Sequence, residues 1–252
     1  MIILEGALSV KAAVESGART IQSIWMDEAK ESKDFDYIKR IVKQRNIKLY
    51  MKSKAEIDEN ATGKTHGGII AFTSPRKIED VQYLLKKKPW FVVMIEGVED
   101  PFNLGQMIRT AYASGANAII LSKRDWSLAE PTLMKSSAGA YDRIMIVQLD
   151  KLEDDLALIK SQGYSIVVTP REETSMDFMD YDYPFPMVLA FGGKLRGLSR
   201  AVLQARDVSL KINYPTQTKL ALNAVSASAI ICFEVYRKRK PKSVFRFKAF
   251  ML

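Results

Sequence analysis

The chain has 252 residues, 47% of them hydrophobic and 27% charged, which suits one large or two ordinary globular domains and excludes a disordered chain. One His and the single Cys232 exclude a disulfide framework and argue against zinc sites, Cys–His pairs and Ser–His–Asp triads. The net charge of +9 points to a polyanionic partner, nucleic acid first.

The longest uncharged stretch, residues 220–233, is shorter than the roughly 18 residues that a bilayer span needs, so no membrane role is expected. The N-terminus lacks the basic, apolar and small-residue series of a signal peptide. With the lone cysteine, this predicts a reducing, cytoplasmic setting.

In chain order, residues 6–17 place Leu8, Ala12, Val10 and Val14 at helical spacing, with Gly17 as a stop. Residues 21–26 read as a strand. Phe35, Ile38, Ile41 and Val42 predict a helix, 47–51 a strand, 54–60 a short polar helix, and 67–72 a strand entered through glycines. This alternation is the signature of an α/β layer structure. Residues 75–89 contain a proline at each end and the run Lys86-Lys87-Lys88, and read as a linker or connecting helix. A second series follows, with strands at 91–95, 118–121, 144–147, 165–169, 187–191 and 208–212. Its helices are expected at 104–114, 131–137, 152–161, 199–203 and 220–237. Short, β-branched strands of this kind suit a parallel sheet covered on both faces. The expected division is therefore 1–74, a linker at 75–89, a second domain at 90–240, and a basic, aromatic tail at 241–252, most simply a frayed end.

Three segments of the second series can carry chemistry, because open α/β sheets bind ligands beyond their strand ends. The first holds Asn103, Gly105 and Arg109 at the start of a helix. Asn103 can cap that helix, Gly105 admits a close neighbour, and Arg109 is either a functional cation or half of a surface ion pair. The second is Gly192-Gly193-Lys194-Leu195-Arg196-Gly197-Leu198-Ser199, a glycine-rich turn leading into a helix capped by Ser199. It matches neither the phosphate-loop nor the dinucleotide fingerprint. The third, residues 220–229, crowds small residues around Asn223 at a helix start, as close packing against a loop or a second subunit would require.

In this order, Asn-x-Gly-x-x-x-Arg-Thr-Ala, Gly-Gly-x-x-Arg-Gly-Leu-Ser and Leu-Asn-x-x-Ser-Ala resemble the three motifs of the SpoU (TrmH-type) RNA methyltransferases of the SPOUT superfamily. Lys135-Ser-Ser-Ala-Gly-Ala140 is similar to the family's segment between the first two motifs. Thr65-His66-Gly67-Gly68-Ile69-Ile70-Ala71 is similar to the last strand of its front domain. The resemblance implies an α/β SPOUT domain with a mostly parallel sheet and a deep trefoil knot, an exception to unknotted connections. It implies a small α/β/α, ribosomal-protein-like RNA-binding domain in front. It also implies S-adenosylmethionine as cofactor, a homodimer with the site at the subunit interface, no metal, and 2′-O-methylation of a ribose in rRNA or tRNA. Carried over by position, Arg109 is the principal catalytic residue, Asn103 positions it or the ribose, and Asn223 is the third motif's asparagine. Gly192, Ile212 and Leu222 match cofactor contacts. Two positions depart from the pattern: Lys194 stands where the second motif has Glu, and Ala221 where the third has Ser. The alternative is a non-catalytic SPOUT-type RNA-binding protein. A nicotinamide dehydrogenase lacks its glycine fingerprint here.

Overall fold

The structure is a computed structural model that describes residues 1–170, 172–194, 196–216 and 221–239. The expected basic tail lies outside the described residues. Two sheets organise the chain.

The first sheet has the order β1-β4-β2-β3, from β1 (Ile2–Glu5), β2 (Ile21–Asp27), β3 (Leu49–Lys52) and β4 (Ile69–Thr73). β4 runs antiparallel to β1 and β2, and β3 is parallel to β2. Helices α1 (Ala7–Ser16) and α2 (Lys33–Gln44) cover one face, and α3 (Lys54–Asn60) covers the other through Ile57 against Ile70 and Phe72. The starts of α2 and α3 are written locally. Ser32 accepts from the Phe35 N–H, and Ser53 with Glu56 forms a reciprocal capping box. β1 is not among the strands read from the sequence, because its four residues open the chain with no turn signal before them.

The second sheet has the order β7-β6-β5-β10-β8-β11-β9, with every pairing parallel. Its strands are β5 (Phe91–Glu96), β6 (Ala118–Leu121), β7 (Met145–Gln148), β8 (Ser165–Val168), β9 (Met176–Asp177), β10 (Met187–Gly192) and β11 (Val208–Lys211). Residues 91–95 and 187–191 are buried throughout, as doubly covered parallel strands must be. Helices α4 (Val81–Lys87), α8 (Leu152–Ser161) and α9 (Arg200–Ala205) pack on one face through Leu84, Leu156, Ile159 and Val202. On the other face lie α5 (Pro101–Ala113), α6 (Glu130–Ser136), α7 (Ala140–Arg143) and α10 (Ala224–Arg239). The last helix begins at Ala224, later than its small-residue pattern suggests.

That second face is not a private core. Its apolar cluster continues without a break into α1, α2, β1, β2 and β4 of the first sheet. Residues 74–79 are stitched to both units: the Lys77 N–H donates to the Ala18 carbonyl at 3.1 Å, and the Glu79 N–H to the Ile146 carbonyl at 2.9 Å. Among the described residues, no helix is long and apolar enough to cross a membrane.

Candidate active site

β5 and β10 lie side by side in register, with Gly192 opposite Glu96, so the loops that follow them leave the sheet together. Those loops interlock. The Gly193 N–H donates to the Glu96 carbonyl at 2.7 Å, and the Gly197 N–H to the Gly193 carbonyl at 3.0 Å. A Cβ on Gly193 would sit 1.9 Å from the Gly97 oxygen, and one on Gly192 would sit 2.5 Å from the Gly197 carbonyl carbon. The glycines are therefore required first by the crossing of two backbones, before any ligand is considered. Glu96, whose role no local pattern marks, accepts from the Ser199 N–H at 2.6 Å and ties the loop's exit back to β5. Ser199 caps α9 as expected.

α5 starts one turn earlier than the sequence suggests. Asp100 is its cap, accepting from the N–H groups of Phe102 and Asn103, and Pro101 occupies the first helical position. Asn103 is thus an exposed first-turn residue and not the cap. The Asp-Pro pair was the local signal, since proline's fixed φ suits that position. Arg109 is exposed, on a helix whose Leu104, Met107, Ile108 and Ala111 are buried. Six residues separate Asn103 from Arg109, which puts them about 9 Å apart along the axis and about 120° apart around it. They do not share a stripe. Arg109 instead lies over the same line as exposed Phe102. Among the described residues, Arg109 has no ion-pair partner, so the surface-pair reading is not realised. Gly105 does admit a close neighbour: a Cβ there would lie 1.8 Å from Ser136 Oγ, where α5 crosses α6.

At the third motif, Asn223 caps α10 by accepting from the Ser226 N–H at 2.8 Å. Leu222 is 37% exposed, and its N–H donates to the Tyr214 hydroxyl at 3.0 Å. Tyr214, unremarked in the sequence, thereby joins the end of β11, where Ile212 is half-buried, to the third motif. α10 then packs on α5 and β10. The structure thus gathers Gly192, the Glu96 corner and α5 at one edge, with Ile212, Leu222 and Asn223 arriving from β11 and α10 on the same edge.

Cations ring this edge. Arg196 is 4.0 Å from the Glu99 carboxylate, and Arg124 reaches the Glu99 carbonyl at 3.4 Å while stacking on Trp126 at 4.6 Å. Lys194 is exposed at the loop tip without an ion-pair partner among the described residues. Cys232 is buried in α10, and burial pushes its thiol up to about 12, which leaves it inert as a nucleophile. No group of His, Cys, Asp or Glu among the described residues can hold a metal ion.

Comparison with known proteins meets this geometry. The profile of the SpoU rRNA Methylase family matches residues 90–233, and that of RNA 2′-O ribose methyltransferase substrate binding matches residues 3–78. A Staphylococcus haemolyticus protein assigned to the TrmH family of tRNA/rRNA methyltransferases is 30% identical over 243 residues, covering 94% of this chain and 96% of its own. A Bacillus subtilis protein with the same assignment is 30% identical over 230 residues, covering 88% and 90%. Among solved structures, the SpoU methyltransferase AviRb from Streptomyces viridochromogenes, in complex with AdoMet, superposes with a TM-score of 0.76 at 21% identity, covering 94% of this chain and 90% of that one. An AdoMet-bound rRNA methyltransferase from Sinorhizobium meliloti gives 0.75 at 22% identity, covering 95% and 88%. With the three motifs on one sheet edge and both profiles spanning the two sheets, the chain belongs to the SpoU (TrmH-type) RNA methyltransferase family of the SPOUT superfamily.

Proposed function

We propose that this protein transfers the methyl group of S-adenosylmethionine to a ribose 2′-hydroxyl of rRNA or tRNA, in the cytoplasm and as a homodimer. The observation that carries the reading is the interlocked pair of glycine loops after β5 and β10, set against the helix that bears Asn103 and Arg109. The donor set suits the cofactor. Backbone groups of residues 192–194 and 196–198 that the loop crossing does not use answer a nucleoside's polar edges, and Ile212 and Leu222 supply aliphatic surface for its faces. Bound S-adenosylmethionine supplies an electrophilic methyl on a positively charged sulfur.

The remaining work is positioning. A guanidinium stays protonated in proteins, so we assign Arg109 to clamp the neighbouring phosphate and to stabilise the alkoxide that develops at the 2′-oxygen. Asn103, one turn into the same helix, orients the ribose with its amide, and Asn223 holds the third motif by capping α10. The hydroxyl proton passes to solvent. Dimerisation is supported by apolar side chains left on two packed helices: Phe102 and Tyr112 on α5, and Ile230, Phe233 and Tyr236 on α10, each 38–55% exposed. The knot expected of this fold belongs to the same proposal, since α10 returns across the sheet edge to pack on α5 and β10.

Lys194 favours a second reading. An ammonium cannot accept the hydrogen bond that a carboxylate there would accept, so a protein that holds RNA without turnover is the alternative. Labelled-methyl incorporation into unmodified RNA decides between them, run for wild type, Arg109→Ala and Lys194→Glu. Wild-type transfer that Arg109→Ala abolishes supports the enzyme. Cofactor binding with wild-type incorporation no higher than that of Arg109→Ala leaves the binder.

A further inference from the structure

The junction between the two sheets is held by charges sealed from water. Arg19 sits in the turn between α1 and β2, with its side chain fully buried. Its Nε and Nη2 fork onto the two oxygens of Asp142 in α7, at 2.8 and 2.7 Å, and Nη1 reaches Glu130 at the start of α6, at 2.6 Å. Both carboxylates are buried. The other oxygen of Glu130 accepts from the Arg76 N–H at 3.0 Å. The Arg76 guanidinium, itself buried, lies over the ring of Tyr141 and donates to the Ile144 carbonyl. Two arginines and two carboxylates make a neutral quartet. Burial works against the Arg19 charge, but Asp142 and Glu130 outweigh it and hold the guanidinium above its usual range.

A second tie lies at the far end of α6. Glu5, at the end of β1, accepts from Lys135 Nζ at 2.5 Å with one oxygen. Its other oxygen accepts from the N–H groups of Thr62 and Gly63, at 2.6 and 2.7 Å. Between the ties, a Cβ on Gly139 would lie 2.5 Å from the Ala12 methyl, so α1 is seated directly on the turn before α7. The same α6 abuts α5 at Gly105 and Ser136. Units joined by a polar, hydrated surface hinge by default; a shared apolar core with directional buried ion pairs does not permit that.

We propose that the front unit is locked to the helix carrying Asn103 and Arg109, and that this fixed span makes the junction, with Arg19 at its centre, a specificity-determining element. The inference rests on the RNA methyltransferase reading for its ligand. A rigid span requires one RNA to present its anchoring segment and its target ribose at a matching distance simultaneously. Folded RNA meets that condition, and short unfolded pieces do not.

The experiment has two arms. Spin labels at Gln44→Cys on α2 and Asp154→Cys on α8, both exposed positions, report the distance between the units. With labelled chains diluted into an excess of unlabelled chain, so that each proposed homodimer holds at most one labelled protomer, a single narrow distribution is expected, unchanged by folded RNA. A broad or two-peaked distribution, or one that shifts on RNA addition, overturns the proposal. In the second arm, binding of folded tRNA and rRNA transcripts is compared with binding of the same transcripts cut into short fragments. Wild type should prefer the folded form by at least tenfold. Arg19→Lys keeps the charge balance but loses the fork, and should broaden the distance distribution and erode most of that preference. If the distribution broadens while the preference stands, the ruler role is wrong. If Arg19→Lys does not fold, the wild-type distances and the wild-type preference still decide. Neither arm needs turnover, so a protein inert in methyl transfer refutes the enzyme and leaves this result readable.

Discussion

Gly193→Ala isolates the loop crossing. The added methyl would sit 1.9 Å from the Gly97 oxygen, whereas real Cβ atoms essentially never approach within 3.0 Å. The atoms it meets are backbone and cannot swing aside, so the loops must part by about 1.1 Å. Parting them breaks the bond from the Gly193 N–H to the Glu96 carbonyl and strains the one from the Gly197 N–H to the Gly193 carbonyl. At roughly 1 kcal/mol for each backbone bond, the local cost is about 2 kcal/mol. The strand register from Met187 to Gly192 lies before the substitution, so the core pairing with β5 survives. Global stability should therefore fall by no more than about 2 kcal/mol in urea titration, within the range of ordinary single substitutions. S-adenosylmethionine affinity, read by calorimetry, should fall by more than tenfold, or about 1.4 kcal/mol, because the ligand meets a displaced wall. Affinity within twofold of wild type, with the fold intact, would refute these loops as the cofactor's seat.

Arg19→Met leaves Glu130 and Asp142 buried beside Arg76 alone and should destabilise the chain by about 3–5 kcal/mol in denaturant melts; a loss under 1 kcal/mol would mean that the quartet is not sealed. Burial pushes the Glu5 carboxyl up, but hydrogen bonds from Lys135, Thr62 and Gly63 outweigh it and hold the group below its ordinary value. A depressed folded value contributes stability that is present above the unfolded pKa of about 4.3 and lost as pH falls through the folded value, so Glu5→Gln should flatten the acid limb of the stability–pH curve. RNA affinity should drop roughly tenfold or more between about 50 and 200 mM salt, because lysines and arginines displace counterions from phosphates. A flat salt dependence in a filter-binding series would remove the electrostatic basis for RNA as partner. Asp100→Ala should cost about 1 kcal/mol of stability by uncapping α5, whereas Asn103→Ala should leave stability nearly unchanged.

Much of the fold was legible in the chain because its signals are local. Runs such as Phe91-Val-Val-Met-Ile and Met187-Val-Leu-Ala-Phe, short and rich in apolar residues, read as strands buried on both faces, and they form the central pair of the parallel sheet. Helices such as Leu152–Ser161 follow from the repeat of Leu156 and Ile159, and the motif order Asn103, Gly192, Asn223 carried the family. What tertiary structure alone decided is where unlike segments meet. Arg19, Arg76, Glu130 and Asp142 are separated by up to 123 residues and sit in segments with no shared pattern, so nothing local marks them as one buried quartet. Glycine 105 could be read as a close approach, but not that Ser136 is the neighbour. Glycines 192 and 193 suggested a ligand; their nearest atoms belong to the chain itself. Periodicity and capping report what each residue does to its own turn or strand. Which charges neutralise one another, and which backbones cross within van der Waals contact, depends on distances that exist only once the two sheets share a core.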